Sequence, residues 1–236
     1  MPTSTTYQRR RGQLLEYFDR TAAQAWSRLT SDAPVSGIRA TVREGRRRMF
    51  ENVLSCMPDD LRGLKVLDAG CGTGTLSVEM AKRGAQVTAI DIAPTLVGFA
   101  RERFEGHVFE SGGTIDFRVG DLSDASLGHF DYVVALDSLI HYRAPDMVRV
   151  LTDLSPRVCK GICFTFAPRT PLLWVFWISG RLFPRSDRAP AIEPVTEHRL
   201  RKLISKNTTM SAFKIGKSLR VGHFFYTSHA LQLVHQ

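Results

Sequence analysis

A run of alternating glycines after a short apolar stretch restricts this 236-residue chain more than any other part of it. Lys65-Val66-Leu67-Asp68-Ala69 reads as a strand, Gly70-Cys71-Gly72-Thr73-Gly74 as a turn, and the residues from Leu76 onward as a helix. Glycines suit such a turn because its dihedrals are closed to other residues and because a side chain would keep the backbone away from a ligand. The helix that follows points free N–H groups at whatever the turn holds. The sequence therefore predicts a strand, a ligand-cradling loop made by Gly70, Cys71, Gly72 and Gly74, and a helix.

The loop pattern argues against a dinucleotide. A dinucleotide fingerprint spaces its glycines as G-x-G-x-x-G, and Asp68 lies inside the run where a pyrophosphate would make a carboxylate unwelcome. A ligand carrying a sulfonium and an ammonium suits that carboxylate, and S-adenosylmethionine is such a ligand. Residues 86–90 read as the next strand, closed by Asp91 and Ile92 about 20 residues beyond Gly70, where an acid can accept both ribose hydroxyls. After a third strand pattern, residues 115–119, Gly120-Asp121-Leu122 places a further carboxylate near an adenine amino group. These features predict an α/β protein with the Rossmann-like fold of class I S-adenosylmethionine-dependent methyltransferases.

The length and the 43% hydrophobic content suffice for one α/β core. We expect a single domain: a helical lid over residues 1–60, a cofactor-binding core over 61–166, a substrate-binding insertion over 167–195, and a closing helix and strands over 196–236. Cys56, Cys71, Cys159 and Cys163 lack metal-ligand spacing, which predicts reduced thiols, a cytoplasmic protein and no protein-bound metal. No apolar stretch follows Arg9, Arg10 and Arg11, so no secretory signal is expected, and no run approaches the ~20 apolar residues of a membrane span. The formal charge of +9 is uneven: ten Lys and Arg face four Asp and Glu over residues 1–48, nine face sixteen over 49–154, and thirteen face three over 155–236. An acidic core between basic flanks suits a carboxylate-bearing substrate, peripheral contact with an acidic membrane surface, or nucleic acid; a basic surface kept for solubility is the plain alternative.

In chain order, Leu14, Leu15, Phe18, Ala22, Ala25, Trp26 and Leu29 recur at helical spacing, predicting an amphipathic helix over residues 13–29 whose Tyr17 either covers the cofactor or packs on the core. A second helix, about 38–54, sets Arg39, Arg43 and Arg46 on one face. Such a row either clamps carboxylates or faces solvent. Residues 76–83 and 94–105 continue the alternation, so the first strands should pair in parallel with right-handed crossovers. Residues 130–136 form the fourth strand, ending at Leu136 beside the first strand, at the switch point where ligands bind in such sheets. Asp137-Ser138-Leu139-Ile140-His141-Tyr142 follows, and lies where a methyl group would emerge. A helix to Leu154 and a fifth strand, 161–166, precede a segment with five of the eleven prolines and the run Leu172-Leu173-Trp174-Val175-Phe176-Trp177-Ile178. Trp174 and Trp177 suit a flat apolar ligand or a membrane interface, or pack inward as a core helix. A helix over 196–206 and strands over 212–219 and 225–234 complete a seven-stranded, mostly parallel sheet.

Beyond the glycine loop, the chain resembles the magnesium-protoporphyrin IX methyltransferases of bacteriochlorophyll and chlorophyll biosynthesis over nearly its whole length, most like those of purple photosynthetic bacteria. The resemblance is carried by Glu16-Tyr17-Phe18-Asp19-Arg20-Thr21-Ala22 with Trp26, Ile38-Arg39-Ala40-Thr41-Val42-Arg43, Asp137-Ser138-Leu139-Ile140-His141-Tyr142, and Phe166-Ala167-Pro168-Arg169-Thr170-Pro171-Leu172-Leu173 leading to Arg181-Leu182-Phe183-Pro184. Plant and cyanobacterial members depart from it near Thr30, where they carry a tyrosine. The resemblance implies that a propionate of magnesium-protoporphyrin IX is methylated from S-adenosylmethionine, giving the monomethyl ester and S-adenosylhomocysteine. The magnesium then belongs to the substrate, and the large subunit of magnesium chelatase is the implied partner that hands it over.

From these readings His141 is the candidate catalytic residue, orienting the attacking propionate, with a histidine that merely caps the strand end as its alternative. Asp137, Tyr142, Arg43, Trp174 and Trp177 are candidates for the porphyrin; Arg39 is grouped with Tyr17 on the cofactor, although either arginine suits the second propionate. The competing activity is O-methylation of a quinone or another lipid-like acid, and a porphyrin carrier without catalysis is a third class. Nucleic-acid methylation is disfavoured, because Asp137 is followed by Ser138, Leu139 and Ile140 rather than by two prolines and an aromatic residue.

Overall fold

The computed structural model describes residues 5–21, 38–104, 106–169, 192–223 and 226–236. Its centre is a seven-stranded sheet: β1 (Lys65–Ala69), β2 (Gln86–Asp91), β3 (Thr114–Val119), β4 (Phe130–Ala135), β5 (Val158–Phe166), β6 (Phe213–His223) and β7 (Tyr226–His235), in the order β3-β2-β1-β4-β5-β7-β6. The first five strands run parallel, while β7 pairs antiparallel with both β5 and β6. The order reverses between β1 and β4, which opens a crevice at the carboxyl ends of those two strands.

Strand periodicity divides the core between the two faces of the sheet. Leu67, Ala69, Val133, Ala135, Ile162 and Phe164 point to one face and pack with α5 (Ala144–Leu154) and α6 (Glu197–Ser205). Val66, Val134 and Cys163 point to the other, against Met49 and Val53 of α2 (Ile38–Leu54) and Met80 of α3 (Thr75–Lys82). A strand buried on both faces carries adjacent apolar residues, as Val66-Leu67 of β1 and Val133-Val134-Ala135 of β4 do. α4 (Pro94–Phe104) joins β2 to β3.

The amino-terminal helix differs from its prediction. α1 spans Thr5–Glu16 and passes into a π-helical turn, Tyr17–Thr21, so helix begins eight residues before the expected start; residues 22–29 of the expected helix, with Trp26, lie outside the described set, as does Thr30. The first two turns are too polar to show an apolar period, and tertiary contacts hold them instead. Tyr7 stacks on Tyr142 with ring centroids 4.9 Å apart, Arg10 pairs with Glu193 at 2.6 Å, and Thr6 donates to Asp146 at 3.0 Å. Asp19 in the π turn accepts from Thr95 N–H at 2.9 Å, tying that turn to the start of α4. β5 and β6 are also longer than expected: pairing of Val158 with Phe130 of β4 starts β5 earlier, and pairing with β7 carries β6 on to His223.

Among the described residues no helix is long and apolar enough to cross a membrane. The four cysteines are all free thiols. Trp174, Trp177 and the rest of residues 170–191 lie outside the described set.

Candidate active site

The glycine turn is anchored on its neighbouring strand. Gly70 N–H and Cys71 N–H both donate to the Ile90 carbonyl, at 2.8 and 3.0 Å. Gly70 has φ 90°, and a Cβ there would stand 2.3 Å from Ser138 Cβ, so only glycine fits both the backbone and the space. Asp91 ends β2 with one backbone bond on each carboxylate oxygen: Gly72 N–H to Oδ2 and Ala93 N–H to Oδ1, both 2.9 Å. Burial pushes its carboxyl above the usual range, and these backbone donors pull it back. Each oxygen retains acceptor capacity for a ligand hydroxyl.

A cleft enclosing about 610 Å³ of empty space, part of it open solvent, begins at this turn. Gly70, Gly72, Ile90, Asp91, Ile92, Gly120 and Leu122 line its inner end. Leu136, Asp137, Ser138, His141 and Tyr142 line the other side, and Leu14 and Phe18 close it from α1 and the π turn. His141 is the last residue of a 3₁₀ turn, Leu139–His141, that follows β4. It is 8% exposed and meets the Phe18 ring edge-on at 5.8 Å. The Ser138 hydroxyl beside Gly70 is a buried oxygen with no hydrogen-bond partner among the described residues, a group that a polar ligand would satisfy.

Not every residue singled out in the sequence reaches this cavity. Asp68 lies beneath the loop, 1% exposed, accepting from Ser77 Oγ at 2.6 Å; burial, with Asp91 nearby, pushes its carboxyl up to about 7. Cys71 is buried within the loop, its thiol raised by the same burial, and Gly74 turns the chain into α3 at φ 78°. Asp121 sits next to the lining residues Gly120 and Leu122, but its own carboxylate is occupied by α1: Tyr7 OH donates to Oδ1 at 2.9 Å and Arg11 Nε pairs with Oδ2 at 2.9 Å. Asp137 likewise turns its carboxylate inward, to Tyr226, Arg46 and Thr165.

Tyr17 packs edge-on against Phe18 at 5.2 Å, and Phe18 is the member of the pair that lines the cavity. The spacing from Leu14 to Phe18 carried that signal, since residues four apart share a helix face. Arg43 is half-buried in α2 and is not among the lining residues; Arg39 belongs to the first turn of α2, and its side chain lies outside the described set. Arg46 of the same row faces Asp137, whereas Arg47 and Arg48 pair with Glu44 on the exposed side. Leu14, Leu96 and Ser138 are lining residues that sequence reasoning did not select.

The glycine cradle, the Asp91 acceptors and the unsatisfied Ser138 hydroxyl fit S-adenosylmethionine, and with this sheet order they define a class I S-adenosylmethionine-dependent methyltransferase. Comparison with known proteins supports and narrows that class. Residues 66–161 match a methyltransferase domain family, and residues 135–235 match the family described as magnesium-protoporphyrin IX methyltransferase C-terminus. A magnesium-protoporphyrin O-methyltransferase from Rhodobacter capsulatus is 51% identical over 223 residues, covering 94% of this chain and 95% of that one. The crystal structure of the magnesium protoporphyrin IX methyltransferase from Synechocystis PCC 6803 with bound S-adenosylhomocysteine superimposes with a TM-score of 0.81 at 30% identity, over 95% of this chain and 99% of that one. Its complex with S-adenosylmethionine matches at 0.78 and 27%, over 96% and 97%. The chain belongs to the magnesium-protoporphyrin IX methyltransferase family.

Two outcomes follow from the loop. Gly70→Ala, forced against Ser138 in a dihedral that L residues rarely adopt, should weaken S-adenosylhomocysteine binding by about 100-fold or more in titration calorimetry. The buried Asp68 carboxyl, raised above its unfolded value, contributes stability that is present at low pH and lost as pH rises through about 7. The stability advantage of Asp68→Asn over the ligand-free parent should therefore widen by about 2–3 kcal/mol between pH 5 and pH 8 in urea unfolding. A gap that does not change with pH would contradict that assignment.

Proposed function

We propose that the cavity between the glycine turn and the Leu139–His141 turn is where a propionate of magnesium-protoporphyrin IX accepts a methyl group, giving the monomethyl ester, and that His141 orients the attacking carboxylate. S-adenosylmethionine, when bound, supplies an electrophilic methyl group on a sulfonium sulfur. The observation that carries the reading is the placement of His141, Ser138 and Asp91 around one cavity at the reversal of strand order.

In this reading Asp91 accepts hydrogen bonds from the ribose, while the Gly70 and Gly72 backbone allows close approach. Asp68 does not touch the ligand; it braces the loop from below through Ser77. Asp121 holds α1 over the cavity through Tyr7 and Arg11. A propionate has a pKa of about 4.3, like Glu, and is ionised at neutral pH. A strong base is therefore unnecessary, and the protein's task is positioning, which is worth up to about 7–11 kcal/mol for well-oriented groups. In this reading His141, on the 3₁₀ turn behind Phe18, donates to one carboxylate oxygen and so aims the other. We further assign the second propionate to Arg39 or Arg43 of α2, and Trp174 and Trp177 to the porphyrin ring. The family resemblance supports the large subunit of magnesium chelatase as the donor of the porphyrin, and the basic flanks suit peripheral contact with an acidic membrane.

To test this, the protein is incubated with S-adenosylmethionine and magnesium-protoporphyrin IX and the product is weighed by mass spectrometry. The expected result is a gain of one methyl group, with no turnover of quinols. His141→Ala should lower kcat by about 100-fold with S-adenosylhomocysteine affinity unchanged, as loss of a positioning group predicts. Parental turnover in both His141→Ala and His141→Asn would remove His141 from the mechanism.

A further inference from the structure

Asp137 is the one non-glycine residue with positive φ among those described, at 54°. An L residue in the left-handed region is strained, and such strain persists only where the surroundings over-determine it. Here they do. Asp137 N–H donates to Thr165 Oγ1 at 2.7 Å, and Thr165, fully buried in β5, donates back to Oδ1 at 3.4 Å. Tyr226 OH, from β7, reaches both carboxylate oxygens at 3.2 Å. Arg46 Nη1, from α2, stands 3.7 Å from Oδ2. Three separate elements thus converge on one side chain that is 5% exposed.

A second local penalty meets the same group. Gly45 occupies the interior of α2, where glycine costs about 1 kcal/mol relative to alanine. A Cβ there would lie 2.6–2.8 Å from the Tyr226 side chain, so the missing side chain is the seat of the tyrosine ring. Burial, reinforced by the Asp137 charge, keeps the Tyr226 hydroxyl protonated far above neutral pH, and it remains a donor. The residues that Asp137 joins are the ones facing the cavity: Leu136 before it, then Ser138 against Gly70, then the turn that ends at His141.

We infer that Tyr226, seated on Gly45, is a positioning residue for methyl transfer: with Arg46 and Thr165 it locks Asp137 in its left-handed turn and so sets Ser138 and His141 relative to the glycine loop. Asp137 is then a strut whose carboxylate faces the protein. This rests on the assignment of the cavity to methyl transfer. It adds a determinant from the last strand, remote in sequence from every cofactor motif.

The test compares Tyr226→Phe, Asp137→Gly and Asp137→Asn in the full chain, measuring kcat, KM for magnesium-protoporphyrin IX, S-adenosylhomocysteine affinity by calorimetry, and Tm. Tyr226→Phe should lower kcat by about tenfold or more while KM and affinity stay within about threefold, because misplacement of reacting groups acts on the chemical step. Asp137→Gly relieves the dihedral but removes the strut, and should lose at least as much. Asp137→Asn tolerates the left-handed region and still accepts from Tyr226, so it should retain most of the parental kcat. Parental kcat in Tyr226→Phe or Asp137→Gly overturns the inference. So does a loss in Tyr226→Phe matched by lost affinity and a lowered Tm, which marks a support of the fold rather than of the geometry. Failure of the parent protein itself to bind S-adenosylhomocysteine would instead overturn the reading of the cavity.

Discussion

The structure depends on how closely the backbone at Gly70 can approach what lies beside it. Two N–H groups of the turn share the Ile90 carbonyl, which fixes the turn to the end of β2, and Asp91 closes the same contact through Gly72. With φ 90° at Gly70 and Ser138 within van der Waals reach, the turn has no room for a side chain. That density brings the ends of β1, β2 and β4 together around one cavity. It also shapes the two acids beside the turn: Asp68 is buried beneath the loop, Asp91 stands in the cavity wall, and burial raises both carboxyls. A sulfonium ligand above them relieves that cost, while a pyrophosphate would add to it.

Two further acids frame the cavity, and neither offers its charge freely. Asp121 is drawn toward α1 by Tyr7 and Arg11, and Asp137 is drawn toward the β5–β7 side by Thr165, Tyr226 and Arg46. The amino-terminal helix and the last strand are thus fastened to opposite sides of one ligand site. An unpaired carboxylate beside an anionic porphyrin would repel it, so internal pairing of both acids leaves the mouth better suited to a propionate.

Local pattern made part of this legible in the sequence. The β1 strand, the glycine turn and Asp91 are contiguous features whose spacing follows from strand, turn and helix geometry, and the parallel order of the first five strands follows from their alternation with helices. That His141 lines the cavity was legible because it comes just after the strand at the switch point. The roles of Asp121 and Asp137 were not. Their partners stand more than a hundred residues away at Tyr7 and 89 residues away at Tyr226, and no periodicity links such positions. The start of α1 was hidden for a related reason: its contacts with Asp146 and Glu193 are polar, so its helix has little apolar stripe to read. Phe18 was legible in principle, since it repeats Leu14 four residues on and so shares its helix face.

The most direct test of the account is a crystal structure of the protein with S-adenosylhomocysteine. The account predicts the ribose hydroxyls within hydrogen-bonding distance of the Asp91 carboxylate, the amino-acid end between Gly70 and Ser138, and the sulfur directed toward His141. A ligand seated elsewhere, or one in this cavity that makes no contact with Asp91, would contradict it.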